Sequence, residues 1–594
     1  MDRILFIAPP HIKVGDFLTP RYNMRTAVRE SGARFGAVLT DMPLGPLSIS
    51  SYLKGQLGRD KVDVRVLDLN VSLNLVQKWE WNTQSFADFI RHEFLTGRDR
   101  VTGQLWSEFN PNIIGASMLF SPSYENFLDI IRVARQVFPN ATLMGGGGVP
   151  TIVYGKIFNE SPEIDAIGFG ESEKPFVELL RAENRDLYLE ASPYWITRAK
   201  KDLPRNMFAY NYVYDLDEIP GFDYSLVHSP DYMLNPALAN YGNVDSKQAN
   251  FHYMTSRGCP YHCNFCASHL VNGREMRNHS LERVRQDLTR LRDELGAKTI
   301  VMQDDNFMGS GDAGRERALQ IVKILGELKL TVVFQNSLTL FALKRPFLEA
   351  MREAGVTQLV LAVESGSARV LREIMHKPLK LEYVEQVAKD CRELGIFTEC
   401  NILIGNLHET EKDIADCRDF ITSEKCPADW YKILIATPLV GSEFYEDAVA
   451  EALIEEGGGA NFDFKQVNIS TTELPAERVK HLQYSLNLEV NFVKNHNLRL
   501  GEEAIAQGNY EAAVPLYRQA LLGFQNAVDG KPDHLFGHHF AALCYDRLGE
   551  IGKAEHHRQQ AILASQDPFW QKWLGEFPQI QVGQTLNAIA VTVH

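Results

Sequence analysis

The chain has 594 residues, 45% of them hydrophobic and 23% charged, more than a single hydrophobic core serves, so two to four domains are expected. With 61 basic and 76 acidic residues the formal charge is −15, which argues against a nucleic-acid or anionic-membrane surface as the main partner. No apolar run reaches the length of a membrane span, and residues 1–7 are too short and too quickly polar for a signal peptide, so a cytoplasmic protein is expected.

Residues 3–8 form an apolar run that ends at Pro9-Pro10, the pattern of a buried strand. Further strands are expected at 62–69, 112–118, 141–145 and 165–169, with amphipathic helices at 46–57, 124–137 and 173–180 between them. Strand alternating with helix implies a parallel sheet covered on both faces, an α/β Rossmann-like domain over 1–182. Ligands of such a sheet bind at the loops after the strands, which here are glycine-rich: Gly145-Gly146-Gly147-Gly148 and Gly168-Phe169-Gly170. Residues 72–110, carrying Trp79, Trp81, Phe86, Phe89, Phe94 and Trp106, read as a helical insertion whose rings pack a core. Residues 183–250, broken by Pro193, Pro204 and Pro220, read as a linker wrapping between domains.

The alternation resumes over 251–440. Strands are expected at 252–255, 299–303, 331–335, 358–363, 397–404 and 431–436, and helices at 281–295, 314–328, 380–394 and 410–422. Six such units suggest a partial (β/α)6 barrel with its chemistry on the loops after the strands. A helical extension is expected over 441–500. In the all-helical remainder, 501–594, Gly508-Asn509-Tyr510, Ala513, Tyr517 and Ala520 are followed by Ala541, Tyr545, Leu548-Gly549 and Ala554. This resembles two tetratricopeptide repeats, which could cap the barrel or dock a protein partner.

None of the eight cysteines precedes Cys259, and three fall within eight residues; Cys391, Cys400, Cys417, Cys426 and Cys544 are scattered. A disulfide framework spreads its pairs through a small secreted domain, whereas crowded cysteines suggest a metal centre. The segment is Thr255-Ser256-Arg257-Gly258-Cys259-Pro260-Tyr261-His262-Cys263-Asn264-Phe265-Cys266, after a predicted strand. A C-x3-C-x2-C triple can direct three thiolates at three irons of one [4Fe–4S] cubane and leave the fourth iron open. Structural zinc wants four closed ligands. A zinc site completed by His262, awkwardly placed between two cysteines, and three unrelated buried cysteines are the competing readings.

On these residues the chain resembles the radical S-adenosylmethionine (SAM) superfamily, whose signature is C-x3-C-x-aromatic-C, with Phe265 as the aromatic. The resemblance implies that Cys259, Cys263 and Cys266 hold the cluster and that SAM chelates the open iron. An electron, from a reductant such as flavodoxin or ferredoxin, would then cleave the sulfonium to a 5′-deoxyadenosyl radical. It also implies SAM-facing positions: Phe265; Asp304 in Gln303-Asp304-Asp305-Asn306-Phe307; Gln335; Glu364 and Ser365 in Val363-Glu364-Ser365-Gly366-Ser367; Ile404; and Thr437 in Ala436-Thr437-Pro438-Leu439-Val440-Gly441-Ser442. After Ile404 the family usually shows Gly-Leu-Pro-Gly-Glu; Asn406 and His408 depart from it in Gly405-Asn406-Leu407-His408-Glu409. Turn chemistry and capping alone is the alternative for each of these segments.

Residues 1–182 resemble the cobalamin-binding domain that precedes the barrel in the subfamily of magnesium-protoporphyrin oxidative cyclases and cobalamin-dependent C-methyltransferases. The resemblance is carried by Met42-Pro43-Leu44-Gly45-Pro46-Leu47, Val66-Leu67-Asp68, Ile114-Gly115-Ala116-Ser117, Met144-Gly145-Gly146-Gly147-Gly148 and Gly168-Phe169-Gly170-Glu171-Ser172-Glu173. Implied cobalamin contacts are Pro43, Leu44, Ser117, Met118, Leu119, Gly145, Gly146, Gly147, Gly170 and Glu171, the glycines letting the backbone approach the macrocycle. No D-x-H-x-x-G segment is present, so cobalt would have no protein histidine beneath it, and Met118, Leu119, Phe120 and Ser121 would lie near its lower face. A domain that has kept the fold and lost the cofactor is the alternative.

The resemblance implies methylation of an unactivated carbon of a small-molecule or carrier-bound substrate, with methylcobalamin as donor. Oxidative cyclisation or ring rearrangement with the same cofactors, a cobalamin-free radical SAM enzyme, and a tetratricopeptide adaptor with a dead barrel stay open. Methylthiolation is disfavoured, because the extra N-terminal cysteines of that family are absent.

Overall fold

The computed structural model describes residues 1–21, 24–82, 84–240, 244–335, 338–455, 458–459 and 466–588. Residues 241–243 of the expected linker and 589–594 of the expected helical tail lie outside them.

Six strands build the N-terminal sheet: β1 (Asp2–Ala8), β2 (Val62–Asp68), β3 (Ile113–Ser117), β4 (Thr142–Gly146), β5 (Ala166–Gly168) and β6 (Trp195–Thr197), in the spatial order 2-1-3-4-5-6. The first five are parallel. Ile4, Leu5, Phe6 and Ile7 are all buried, as a continuous apolar strand covered on both faces requires. The accompanying helices include α1 (Leu44–Leu57), α2 (Tyr124–Val137), α3 (Gly148–Glu160) and α4 (Glu173–Arg181). The strand order reverses between β1 and β3, the place where open α/β sheets bind ligands.

The segment expected as a linker contributes more than a connection. Its strand β6 adds an antiparallel edge to the sheet, held by buried Trp195, whose ring meets Phe176 edge-on at 5.6 Å. After β6 the chain runs in short 3-10 turns that bury Val213, Leu216, Phe222, Tyr224 and Tyr232. The aromatic insertion is core, as expected: Phe86, Phe89, Phe94 and Trp106 are buried, and Trp79 packs on Phe17 and Phe86.

The central domain holds six strands in two parallel three-stranded sheets: β7 (Asn250–Tyr253), β8 (Thr299–Met302), β9 (Thr331–Phe334), β10 (Gln358–Glu364), β11 (Phe397–Ile404) and β12 (Trp430–Ile435). Their ladders form two arcs, 7-8-9 and 10-11-12. Between the arcs, Val333 and Val360 pack together with Val301 and Leu238. Side chains alternate across each strand, so Leu359, Leu361 and Val363 join the main core, which they share with residues of α5 (Leu281–Asp293), α6 (Gly311–Glu327), α7 (Arg345–Glu353), α8 (Leu381–Glu393) and α9 (Glu411–Ile421).

Helix α10 (Ala476–Leu488) lies along β12, and Gln483 Nε2 donates to the Ile433 carbonyl at 2.6 Å. Two helix pairs follow, α11 (His496–Ala506) with α12 (Tyr510–Gly530) and α13 (Leu535–Arg547) with α14 (Ile551–Ala564). Each pair turns at a left-handed glycine, Gly508 and Gly549, both singled out by the sequence. At Gly523 of α12 an added Cβ would come within 2.2 Å of the Trp430 indole, so the tail packs directly on the barrel's edge strand. Among the described residues no helix is long and apolar enough to cross a membrane.

Candidate active site at the domain interface

The cysteine loop leaves β7 and is pinned from behind by Asp304, which was expected to face SAM. The buried Asp304 carboxylate accepts from the Thr255 amide (3.1 Å), Thr255 Oγ1 (2.6 Å) and Ser256 Oγ (2.6 Å), so its hydrogen-bonding capacity goes to the loop's base. Its neighbour Asp305 accepts from the Gly258 amide (3.1 Å) and Asn272 Nδ2 (2.8 Å). Gly258 has φ 90°, and a Cβ there would stand 2.3 Å from the Glu275 carbonyl oxygen, so the turn into Cys259 requires glycine. Further along, the Asn264 amide donates to Met375 O and Asn264 O accepts from the Phe444 amide.

All three cysteines are half-buried and free. Burial pushes the Cys259 thiol up to about 11 and raises Cys263 as well, with Lys377 pulling Cys263 the other way. Ligation must therefore displace protons from these thiols. Among the described residues no three His, Cys, Asp or Glu side chains converge on a single-ion site. In a cubane each thiolate would take a different iron. His262 is exposed.

Glu364 ends β10 at a register shift and has φ 69°, a left-handed conformation costly for a non-glycine residue and commonest at functional sites. Lys377 Nζ donates to Glu364 Oε1 at 3.2 Å and lies 6.0 Å from the Phe265 ring centroid, so one ammonium bridges the loop aromatic and the carboxylate. No motif in the sequence pointed to Lys377. Ser365 is buried, its Oγ accepting from the Ser367 amide within the turn. Gln335 Oε1 accepts from Gln303 Nε2 at 2.9 Å, while its own Nε2 is buried without a partner. The Ile404 side chain lies in the main core, and its carbonyl accepts from Ala436 N; the neighbouring Leu403 packs with Phe265 against the Val370–Ile374 segment. Thr437 Oγ1 accepts from Asn468 Nδ2 at 3.4 Å. Glu409 Oε2 accepts from the Gly405 and Asn406 amides at 2.7 and 2.9 Å, and burial pushes its carboxyl up to about 7.

The carboxyl ends of β3, β4 and β5 face this loop. After Ser117, Met118 is buried and its amide donates to Gly146 O, whereas Leu119 and Phe120 are 62% and 47% exposed, two large apolar side chains held at the sheet's ligand edge. Gly147 has φ 102°, and a Cβ there would stand 2.4 Å from Met118 O; at Gly145 it would meet Phe127 at 2.8 Å. At Gly146 it would meet nothing, so that backbone is bare to an approaching ligand. Gly170, φ 78°, lies against Tyr210. Pro43 and Leu44 open α1, and the preceding Met42 amide donates to His252 Nδ1 inside the barrel at 2.8 Å.

Glu171, expected to face cobalamin, accepts from Arg257 Nη1 (2.9 Å) and from both terminal nitrogens of Arg277. Arg257 Nη2 also reaches Glu173 Oε1 (2.8 Å) and Ser48 Oγ (2.7 Å), and all five side chains are buried. Arg257 and Arg277 are paired across a short antiparallel ladder at the base of the cysteine loop. The network therefore joins the last sheet loop directly to the residues preceding Cys259. Nearby, Gly441 lets Leu270 and Ile152 close over it, and Gly148 approaches Val271.

Three free, half-buried cysteines thus lie beside a bare-glycine, apolar-edged cradle across a single interface, and the donors on each side suit their group. This arrangement defines a radical SAM protein joined to a cobalamin-binding domain. Residues 253–421 match the radical SAM superfamily and residues 43–180 the B12 binding domain, so the chain belongs to the cobalamin-binding subfamily of the radical SAM superfamily. Its cofactors are a [4Fe–4S] cluster, SAM and cobalamin. The chain is 26% identical over 512 residues to the cytidylyl-2-hydroxyethylphosphonate methyltransferase of Streptomyces wedmorensis, covering 81% of this chain and 92% of that protein. The cobalamin-dependent SAM radical enzyme OxsB with aqua-cobalamin superposes with TM-score 0.54 at 14% identity, over 98% of this chain and 77% of that one. The methyltransferase TsrM from Kitasatospora setae, with cobalamin and a [4Fe–4S] cluster bound, gives 0.52 at 16%, over 76% and 79%. These two likenesses show the fold.

Proposed function

We propose that the protein is a cobalamin-dependent radical SAM C-methyltransferase acting on an unactivated carbon of a small-molecule or carrier-bound substrate. The observation that carries the reading is the shared interface: the sheet loop around Gly170 meets the base of the cysteine loop through Glu171, Arg257 and Arg277. When bound, SAM on the cluster supplies a radical able to take hydrogen from carbon, and the corrinoid supplies the methyl group. The chain's own residues arrange this meeting. Cys259, Cys263 and Cys266 would hold three irons of the cluster; Glu364 and Lys377 present a paired carboxylate and ammonium beside Phe265. Gly145, Gly146 and Gly147, with Leu119 and Phe120, offer backbone and apolar surface to a macrocycle. The similarity to a methyltransferase along most of both chains supports methyl transfer over ring closure. A flavodoxin or ferredoxin would supply the electron, and the paired C-terminal helices offer a surface for a carrier or partner.

The test is anaerobic reconstitution with iron, sulfide, cobalamin, SAM and dithionite. Cys263→Ala should abolish 5′-deoxyadenosine formation; wild-type turnover in that variant ends the radical SAM reading. With a substrate in hand, product mass separates methylation, a gain of CH2, from ring closure, a loss of H2.

A further inference from the structure

The turn that leaves the cysteine loop carries a hydroxyl that its own backbone does not use. Ser268 stands at the N-cap of the short helix His269–Asn272. A serine there ordinarily spends its hydroxyl on an amide of the first turn. Ser268 makes no such bond, and its Oγ lies 3.4 Å from Cys266 Sγ. Among the described residues, Cys266 is the one cysteine of the triple whose sulfur meets a side-chain hydroxyl.

The turn is braced on both sides of this contact. The Ser268 carbonyl accepts from the Val271 and Asn272 amides, each at 3.1 Å, and Cys266 N donates to Cys263 O at 3.1 Å. Gly273 O accepts from Cys259 N at 3.3 Å, and Asn272 Nδ2 donates to the same Asp305 carboxylate that accepts from Gly258 N. The turn therefore frames both ends of the cysteine loop and sets the hydroxyl beside the third sulfur. Either atom can donate while Cys266 is a thiol. A thiolate on iron has no proton, so there the donor is Ser268 Oγ–H. Such a bond strengthens with the negative charge on its acceptor. Reduction places one more electron on the cubane and its thiolates, so the bond favours the reduced state; hydrogen bonds to sulfur are among the levers that set cluster potentials.

We propose that Ser268 tunes the cluster: its hydroxyl, donated to Cys266 Sγ, raises the reduction potential and eases electron uptake from a low-potential one-electron carrier. One electron passes from carrier to cluster, the carrier is oxidised, and Ser268 keeps its proton. The inference rests on the cluster assignment of the radical SAM reading and adds the residue that sets the cluster's readiness to be reduced.

The test is an EPR-monitored redox titration of the cluster-loaded full chain. It compares wild type with Ser268→Ala, and Ser268→Thr with Ser268→Val, which exchange a hydroxyl for a methyl at similar size. The Ala and Val variants should show a reduced-to-oxidised ratio about tenfold lower at a given potential, a midpoint about 59 mV lower for one electron. The Thr variant should stay with the wild type. Midpoints that fail to separate hydroxyl from methyl variants overturn the proposal. So does a cluster, counted as iron and sulfide per chain, that assembles only when the hydroxyl is present, since Ser268 would then serve assembly. A wild-type chain that holds no cubane overturns both readings. A loaded wild type that forms no 5′-deoxyadenosine from SAM and dithionite overturns the radical SAM reading alone, because the midpoints still report on Ser268.

Discussion

Glu171→Gln keeps the side chain's shape and removes one of the two negative charges facing Arg257 and Arg277. All the charged groups of this network are buried, so water cannot replace the missing charge. Removing one partner of a buried ion pair costs about 3–5 kcal/mol. Arg277 keeps its bonds to the Val213 and Asn272 carbonyls, and Arg257 keeps Glu173, so the lower end of that range is expected. At about 1.4 kcal/mol per factor of ten, the docked state of the two domains weakens roughly 100-fold. Hydrogen exchange reads this directly: amides of 168–173 and 255–278 should exchange faster by up to that factor, while those of β1 stay protected. The cysteine loop should still assemble its cluster, because the three thiols remain in place. Unchanged exchange across both segments would refute the reasoning. If corrinoid were lost without any change in exchange, Glu171 would be a cofactor contact after all.

Other outcomes follow from single positions. Gly147→Ala forces a Cβ to within 2.4 Å of Met118 O at a φ of 102° and should lower both the melting temperature and the corrinoid retained per chain; Gly146→Ala, with nothing near its Cβ, should lower only the corrinoid. Burial lifts the Glu409 carboxyl from 4.5 to about 7, so the folded state holds this proton more tightly than the unfolded chain does. Its stabilising contribution is complete below 4.5, declines as pH rises, and is lost above about 7, amounting to about 3 kcal/mol. Glu409→Gln should flatten that decline in urea-unfolding midpoints, and parallel profiles for wild type and variant would contradict the assignment.

Local chemistry was readable from the sequence, and long-range geometry was not. The cysteine spacing lies within one loop and needs no tertiary information. The strands of the barrel announced themselves because their outward faces, such as Leu359, Leu361 and Val363, repeat with period two. Three-residue β6 was hidden among prolines, and only Trp195 packing on Phe176 makes it a strand. Asp304 and Glu171 sit in recognisable motifs, but a motif does not say which way a carboxylate points. Asp304 turns back to Thr255, and Glu171 turns to arginines 86 and 106 residues away. Lys377 belongs to no motif; it reaches Glu364 because the wide helical turn Val370–Ile374 swings the chain back across Phe265.

The bare backbone of Gly523 beneath the Trp430 indole makes the C-terminal helices a structural part of the barrel rather than a detachable appendage. Cutting the chain after residue 440 would strip Phe492 and Phe524 from that indole and leave the last strand without its outer neighbour. An unpaired, aromatic sheet edge invites self-association. Attempts to dissect this enzyme into minimal catalytic pieces should therefore keep the tail, and a tail-less barrel that precipitates would say nothing about whether the helices touch substrate.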